Sequence, residues 1–214
     1  MEDIKICNIS TFVRIYVWNS SLNGGDGVGH VALETNNIYA SLWPGDAVPE
    51  TKREQLLKVR APHLMRDYND DRLAEATSDG SPRNAEVVVT LYSLDASKLE
   101  HRFEHYKKTL KGWTLAAGTF FRNDEKAESC ASLAFRLLES AGLRDLVNEV
   151  HHSSITASSA VTPDLIARLV VLAKKAELSK FPETRDFKHI NDTFINQSTA
   201  NVKSNCIIIP TNNK

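Results

Sequence analysis

The sequence predicts an α+β fold: an antiparallel sheet with helices packed across it. Three features lead to that expectation. Residues 11–18 (TFVRIYVW) alternate apolar and polar side chains with the two-residue period of a half-buried strand. A second strand pair follows in GHVALETNNIYASLWPG, folded at Asn36-Asn37. The C-terminal half supplies two amphipathic helices, one over residues 129–141 and one opened by Thr162-Pro163-Asp164.

Taken in order, Val13, Ile15 and Val17 form the apolar side of the first strand, against Arg14 and Tyr16. NSSLNGGDG at residues 19–27 is a polar, glycine-rich loop. The hairpin runs from Gly29 to Thr35, turns, and continues from Ile38 to Trp43. Residues 45–85 are charged and carry three prolines. They read as an irregular excursion with short helical turns, and a loop of that length in a compact domain is often functional. EVVVTLYSL at 86–94 reads as a buried strand. Asp95 caps a helix to Leu110, with Leu99, Phe103, Tyr106 and Leu110 on one stripe. GWTLAAGTFF at 112–121 fits a strand or a loop. The helix after Ser129 ends at Gly142, a good C-terminal stop. The one opened at Thr162 runs to about Leu178. Residues 1–180 are expected to form the domain. Residues 181–214 form a tail that is either one strand, CIIIP, plus loops, or partly disordered. There is no internal repeat.

Composition bounds the function. The chain has 214 residues, 42% of them hydrophobic, enough for a sizeable core. With 26 basic and 27 acidic residues the net charge is −1, which argues against nucleic acid or an anionic membrane as partner. The most apolar stretch, Leu165–Ala173, is broken by Arg168 and is too short for an integral membrane segment. The opening MEDIKIC lacks the pattern of a signal peptide. Three cysteines, Cys7, Cys130 and Cys206, suit free thiols in a reducing compartment. A cytoplasmic protein is expected, and one injected into another cell by a dedicated machine would look the same. The chain is expected to act as a monomer on a protein or peptide substrate.

The chemistry centres on Cys130 and His30. On a helical wheel Cys130 shares the apolar face of Leu133, Ala134, Leu137, Leu138 and Ala141, and it lies in the first turn. Unpaired N–H groups and the positive helix end favour a thiolate there, and the thiolate is the nucleophile. Histidine is the usual base for such a thiol. A two-residue turn at Asn36-Asn37 sets His30 opposite Trp43 and Ala32 opposite Ser41, so His30, Ser41 and Glu34 share one face. Ser41, diagonal to His30, is the expected third member. Glu34 ranks behind it, being farther along the strand. Gly29 and Trp43 are the expected substrate-side residues, one letting backbone approach beside His30, the other bordering the cleft. Taken singly, a cysteine on an apolar helix face is a small core residue and a sheet histidine is inert. Taken together they point to catalysis.

GHVALET and YASLWP, followed much later by SCASLAFRLLESAG and TPDLIARL, resemble the circularly permuted branch of the NlpC/P60 papain-like superfamily over residues 11–176. That branch places the histidine hairpin before the cysteine helix. It includes relatives of lecithin-retinol acyltransferase (LRAT), the PPPDE desumoylating and deubiquitinating peptidases, and bacterial toxin and effector domains. The resemblance implies a papain-like fold, His30 as base, Cys130 as nucleophile, and a third polar residue at Ser41. It also carries the idea of an effector role. Ser129 stands where many members have asparagine, the acyltransferases' Asn-Cys-Glu-His-Phe signature is missing, and no second histidine follows on the hairpin.

The expected reaction is therefore thiol acyl transfer, first as hydrolysis of a peptide or isopeptide bond, needing no metal or cofactor. The backbone N–H of Cys130 is the candidate oxyanion donor. Fatty-acyl transfer or lipid hydrolysis is the second reading, and a non-catalytic interaction module on the same fold the third. Other constellations carry less. His101 and His105 have zinc-like i, i+4 spacing but lie opposite the apolar stripe, as a solvated face would. His151-His152 falls in a surface loop, and NGGDG at 23–27 is a mobile rim without the lysine of a phosphate loop. Cys7 and Cys206 are read as structural.

Overall fold

A computed structural model describes residues 4–6, 11–19, 29–45, 58–117, 126–147, 161–181 and 207–209. In chain order the strands are β1 (Ile4–Ile6), β2 (Val13–Trp18), β3 (His30–Glu34), β4 (Tyr39–Pro44), β5 (Pro62–Leu64), β6 (Val87–Leu91), β7 (Gly112–Trp113), β8 (Ala127–Glu128) and β9 (Ile207–Ile209). The helices are α1 (Tyr68–Ala74), α2 (Ala96–Thr109), α3 (Cys130–Ser140), α4 (Leu143–Leu146) and α5 (Pro163–Lys180). The protein is α+β. Its central sheet has five strands in the order β5-β4-β3-β2-β6, every neighbouring pair antiparallel.

Strand alternation divides the sheet into two unlike faces. Val13, Ile15, Val17, Val31, Leu33, Ala40 and Leu42 are buried on one face and belong to the main core. Leu133, Leu137 and Leu138 of α3 and Ile166, Leu169 and Val170 of α5 join them there. The other face is aromatic. Tyr16, Trp18 and Ala32 form a second cluster, joined by Tyr39 and by Tyr68 from α1. The Tyr16 and Tyr68 rings stack with centroids 4.6 Å apart.

The hairpin register is the one the sequence predicts. Ala32 pairs with Ser41 and Glu34 with Tyr39, and Thr35 N donates to Ile38 O across the Asn36-Asn37 turn. The two amphipathic helices form as expected, α3 capped by Ser129 and α5 capped by Thr162 with Pro163 in its first turn. Gly142 closes α3 at φ 94°, a conformation that favours glycine. The stripe of α2 is buried at Leu99, Phe103 and Tyr106, behind an Asp95 cap.

Two elements differ from the sequence reading, and a third was left open by it. The segment read as an irregular excursion is ordered over 58–85. It adds β5 as an edge strand and folds back as α1, which a capping box between Asp67 and Asp70 starts. The strand read as buried, β6, is the opposite edge, and Val88 is half exposed. A run of valines looks the same in a central or an edge strand, since composition does not say how many neighbours a strand has. Residues 112–117, the described part of the stretch that fitted a strand or a loop, divide. Gly112–Trp113 is a short strand parallel to β8, and residues 115–117 turn.

Ile207–Ile209 pairs antiparallel with Ile4–Ile6, so CIIIP does contribute a strand. Cys7, Cys206, His151, His152 and the glycine-rich loop at 23–27 lie outside the described residues. Among the described residues no helix is long and apolar enough to cross a membrane.

Candidate active site

Two elements bring the sulfur and the imidazole together. Cys130 is the first residue of α3, a helix held by a tight polar cap. Ser129 Oγ accepts from Ser132 N at 3.1 Å and Ser132 Oγ accepts from Ser129 N at 2.8 Å. Glu128, itself buried, accepts from Ser132 and pairs with Arg136 at 2.7 Å, so residues 128–136 lock the first turn. Leu133 N already bonds Ser129 O. Among the described residues the N–H groups of Cys130 and Ala131 bond no acceptor, as the open end of a helix leaves them.

His30 is the first residue of β3 and follows Gly29, whose φ of 72° favours glycine. Its ring alternates to the aromatic face, where Trp43 stacks on it at 4.4 Å and Trp18 sits at 5.5 Å. His30 lies at the strand's end rather than in mid-sheet, and its charge is coupled to Cys130 at the first turn of α3. Both side chains are enclosed, His30 1% and Cys130 8% exposed.

A carboxylate completes the arrangement, and it is not Glu34. Asp71 of α1, 0% exposed, lies with Oδ2 3.3 Å from His30 Nε2. It accepts from Tyr39 OH at 2.6 Å, Ser41 Oγ at 2.7 Å and Trp43 Nε1 at 2.8 Å. Ser41 Oγ also stands 2.9 Å from His30 Nε2. Since Ser41 donates to Asp71, its oxygen is free to accept from Nε2–H, so Ser41 bridges ring and carboxylate. Nε2 is thereby committed to Asp71 and Ser41, which leaves Nδ1 for the thiol. Glu34 is engaged elsewhere, by Tyr16 OH at 2.6 Å and Arg14 at 3.2 Å.

The electrostatics follow from these contacts. Burial opposes a charge on His30, but Cys130 and Asp71 outweigh it, and the imidazolium is held up to about 10. Burial likewise disfavours the Asp71 carboxylate, but the bonds from His30, Tyr39 and Ser41 keep it below its ordinary range. Burial, then Asp71, push the Tyr39 phenol well above the usual range, so it remains a donor. The His30 side-chain resonances are accordingly expected to show no titration by NMR between about pH 5 and 8. Asp71→Asn removes one of the two groups that raise the midpoint and should lower it. A wild-type midpoint near the ordinary 6.5 would contradict the arrangement.

Protein-family models, curated proteins and solved structures were all compared with the chain, and none matches it. The site is therefore read from its own geometry.

Of the sequence-predicted residues, His30, Ser41 and Trp43 gather around Asp71, Trp43 stacking on the imidazole while donating to the carboxylate, and Gly29 precedes His30 at a positive φ. Cys130 acts on the charge of His30 from the start of α3. Asp71 was missed because it lies in the segment read as irregular. Helical phase could have found it: Tyr68, Asp71 and Glu75 share one face of α1, and Tyr68 is the aromatic that must turn inward. His101 and His105 are exposed, and no group of three His, Cys, Asp or Glu forms a metal-binding set among the described residues.

Proposed function

We propose that the chain is a cysteine-dependent acyl-transfer enzyme on a permuted papain-like fold, acting as a peptidase or isopeptidase. The observation that carries this reading is a buried His30 held by Asp71 and Ser41, its charge favoured by Cys130 at the open end of α3. In the first step the Cys130 sulfur bonds the carbonyl carbon, and the N–H of Cys130 donates to the oxygen as it gains charge. As the C–N bond breaks, His30 gives its proton to the leaving amine. Water then attacks the thioester, His30 takes its proton, the S–C bond breaks, and the thiolate returns beside a charged imidazole. Asp71 and Ser41 act through His30, fixing its ring and its charge. The free Cys130 thiol suits a reducing compartment.

Iodoacetamide labelling of Cys130 near neutral pH tests the pair. His30→Ala is expected to slow it by about tenfold or more, since the thiolate loses its counter-ion. Equal, slow labelling in both proteins would point instead to a non-catalytic interaction module. Mass spectrometry of Cys130 after incubation with lysate then reads the substrate. A peptide or ubiquitin-like adduct supports this reading, and a fatty-acyl adduct would move the activity to lipid.

A further inference from the structure

Between α1 and β6 the chain turns through residues 77–81. Gly80 takes a φ of 81° there, its N–H bonds Thr77 O at 2.8 Å, and Thr77 N bonds Ser81 O at 2.9 Å. The turn sends the chain back along α1 and brings Arg83 to the end of β2. The N–H of Arg83 bonds Arg72 O at 2.9 Å, the carbonyl next to Asp71. Its own carbonyl accepts from Trp18 Nε1 at 3.1 Å. Trp18 is the ladder partner of His30, and the two rings lie 5.5 Å apart.

The guanidinium grips the same two elements. Nη1 pairs at 3.1 Å with Glu75, which ends α1, and Nη2 donates at 2.8 Å to Asn19 O, just past β2. Nε pairs with Glu86 at 2.7 Å, and Glu86 in turn accepts from Asn19 N at 2.8 Å. The Arg83 side chain is 12% exposed, so these charge-assisted bonds are largely sheltered from water. A planar fork lets one side chain meet three acceptors lying in different directions. Tyr68, packed on Tyr16 and Trp18 at 4.6 and 5.7 Å between ring centroids, holds the start of α1 to β2. Arg83 holds its end.

We propose that Arg83 is a positioning residue of the acyl-transfer site: it locks the end of α1 to the end of β2 and so keeps Asp71 against His30. The inference rests on Cys130 and His30 being the catalytic pair. The charged groups that act on His30 are Asp71 and Glu75 from α1 and Cys130 from α3, while Trp18 from β2 and Ser41 and Trp43 from β4 are neutral. The positive charge of Arg83, behind Glu75, works against the imidazolium. Its grip on α1 works for the imidazolium, through Asp71. The two effects have opposite sign, and the sign separates a lock from a bystander charge.

NMR titration of the His30 side chain in the full chain tests the lock. Arg83→Met keeps the stem and removes both charge and fork. The midpoint is expected to fall from about 10 by about one pH unit or more, the scale that a neighbouring carboxylate sets. Arg83→Lys keeps the charge without the fork and should lower the midpoint by less. Glu177→Ala, a destabilising change on α5, should leave it in place. A midpoint that rises or stays put in Arg83→Met, with none of the fall in Arg83→Lys, would overturn the lock. An equal fall in Glu177→Ala would also overturn it, since loosened packing alone would then move the midpoint. Iodoacetamide alkylation of Cys130 that is indifferent to His30→Ala would instead overturn the acyl-transfer reading, and this inference with it, whatever the midpoints.

Discussion

Asp71→Ala is expected to cost about 3–5 kcal/mol of stability, as loss of one partner of a buried ion pair does. It is also expected to slow acylation of Cys130 by about 10²–10⁴-fold, the range that general acid–base contributions span. The carboxylate is wholly buried and accepts from three neutral donors besides facing His30. Removal strands Tyr39 OH, Ser41 Oγ and Trp43 Nε1, and it takes away one of the two groups, Cys130 being the other, that favour the imidazolium. His30 would shed its proton more readily, and with it the capacity to protonate a leaving amine.

The two charges give the effect a pH window. The Asp71 carboxyl is depressed below 3.8, so its contribution is present above that value and is lost as pH falls through the folded midpoint. The His30 midpoint is raised from 6.5 to about 10, so its contribution is complete below 6.5 and fades as pH rises toward 10. Urea unfolding should therefore find the gap between wild type and Asp71→Ala widest between about pH 4 and 6.5, narrowing on both sides. A gap that grows toward pH 10 would refute the ion pair.

The hairpin was legible in the sequence because period and turn agreed: alternation fixed which residues share a face, and Asn36-Asn37 fixed the register that sets Ser41 beside His30. The Cys130 helix was legible because its cap, apolar stripe and terminal glycine all point to the same boundaries. Asp71 was not, because a capping box is a short-range signal and a seven-residue helix shows too few turns to reveal a period. Two adjacent aspartates, Asp70 and Asp71, look alike as letters. One caps α1 from outside and the other enters the site, and only the phase set by Tyr68 separates them. The meeting of His30 with Cys130 was inferred from helix-on-sheet packing. In fact α3 covers the aliphatic face while His30 belongs to the aromatic one. The two are coupled electrostatically because each stands at the end of its element.

A second buried carboxylate separates stability from chemistry. Glu177→Ala is expected to cost about 3 kcal/mol, by stranding backbone donors and breaking an ion pair. Glu177, on α5 and 0% exposed, accepts from Tyr92 N at 2.6 Å, Ser93 N at 2.7 Å and Ser93 Oγ at 2.8 Å. It also pairs with Lys174 at 2.5 Å. It thus fastens α5 to the turn between β6 and α2, where Tyr92 and Ser93 offer N–H groups that no strand partner takes. Glu177→Gln keeps an acceptor oxygen and should recover most of the loss, because the backbone donors matter more than the charge of a lysine that can reach water. Glu177 bonds none of the residues around Cys130. Iodoacetamide alkylation of the folded variant should therefore match wild type, whereas Asp71→Ala should lose stability and reactivity together. Were Glu177→Ala to slow Cys130 as Asp71→Ala does, slow acylation in either variant would be a symptom of loosened packing, and Asp71 would lose its claim to position the imidazole.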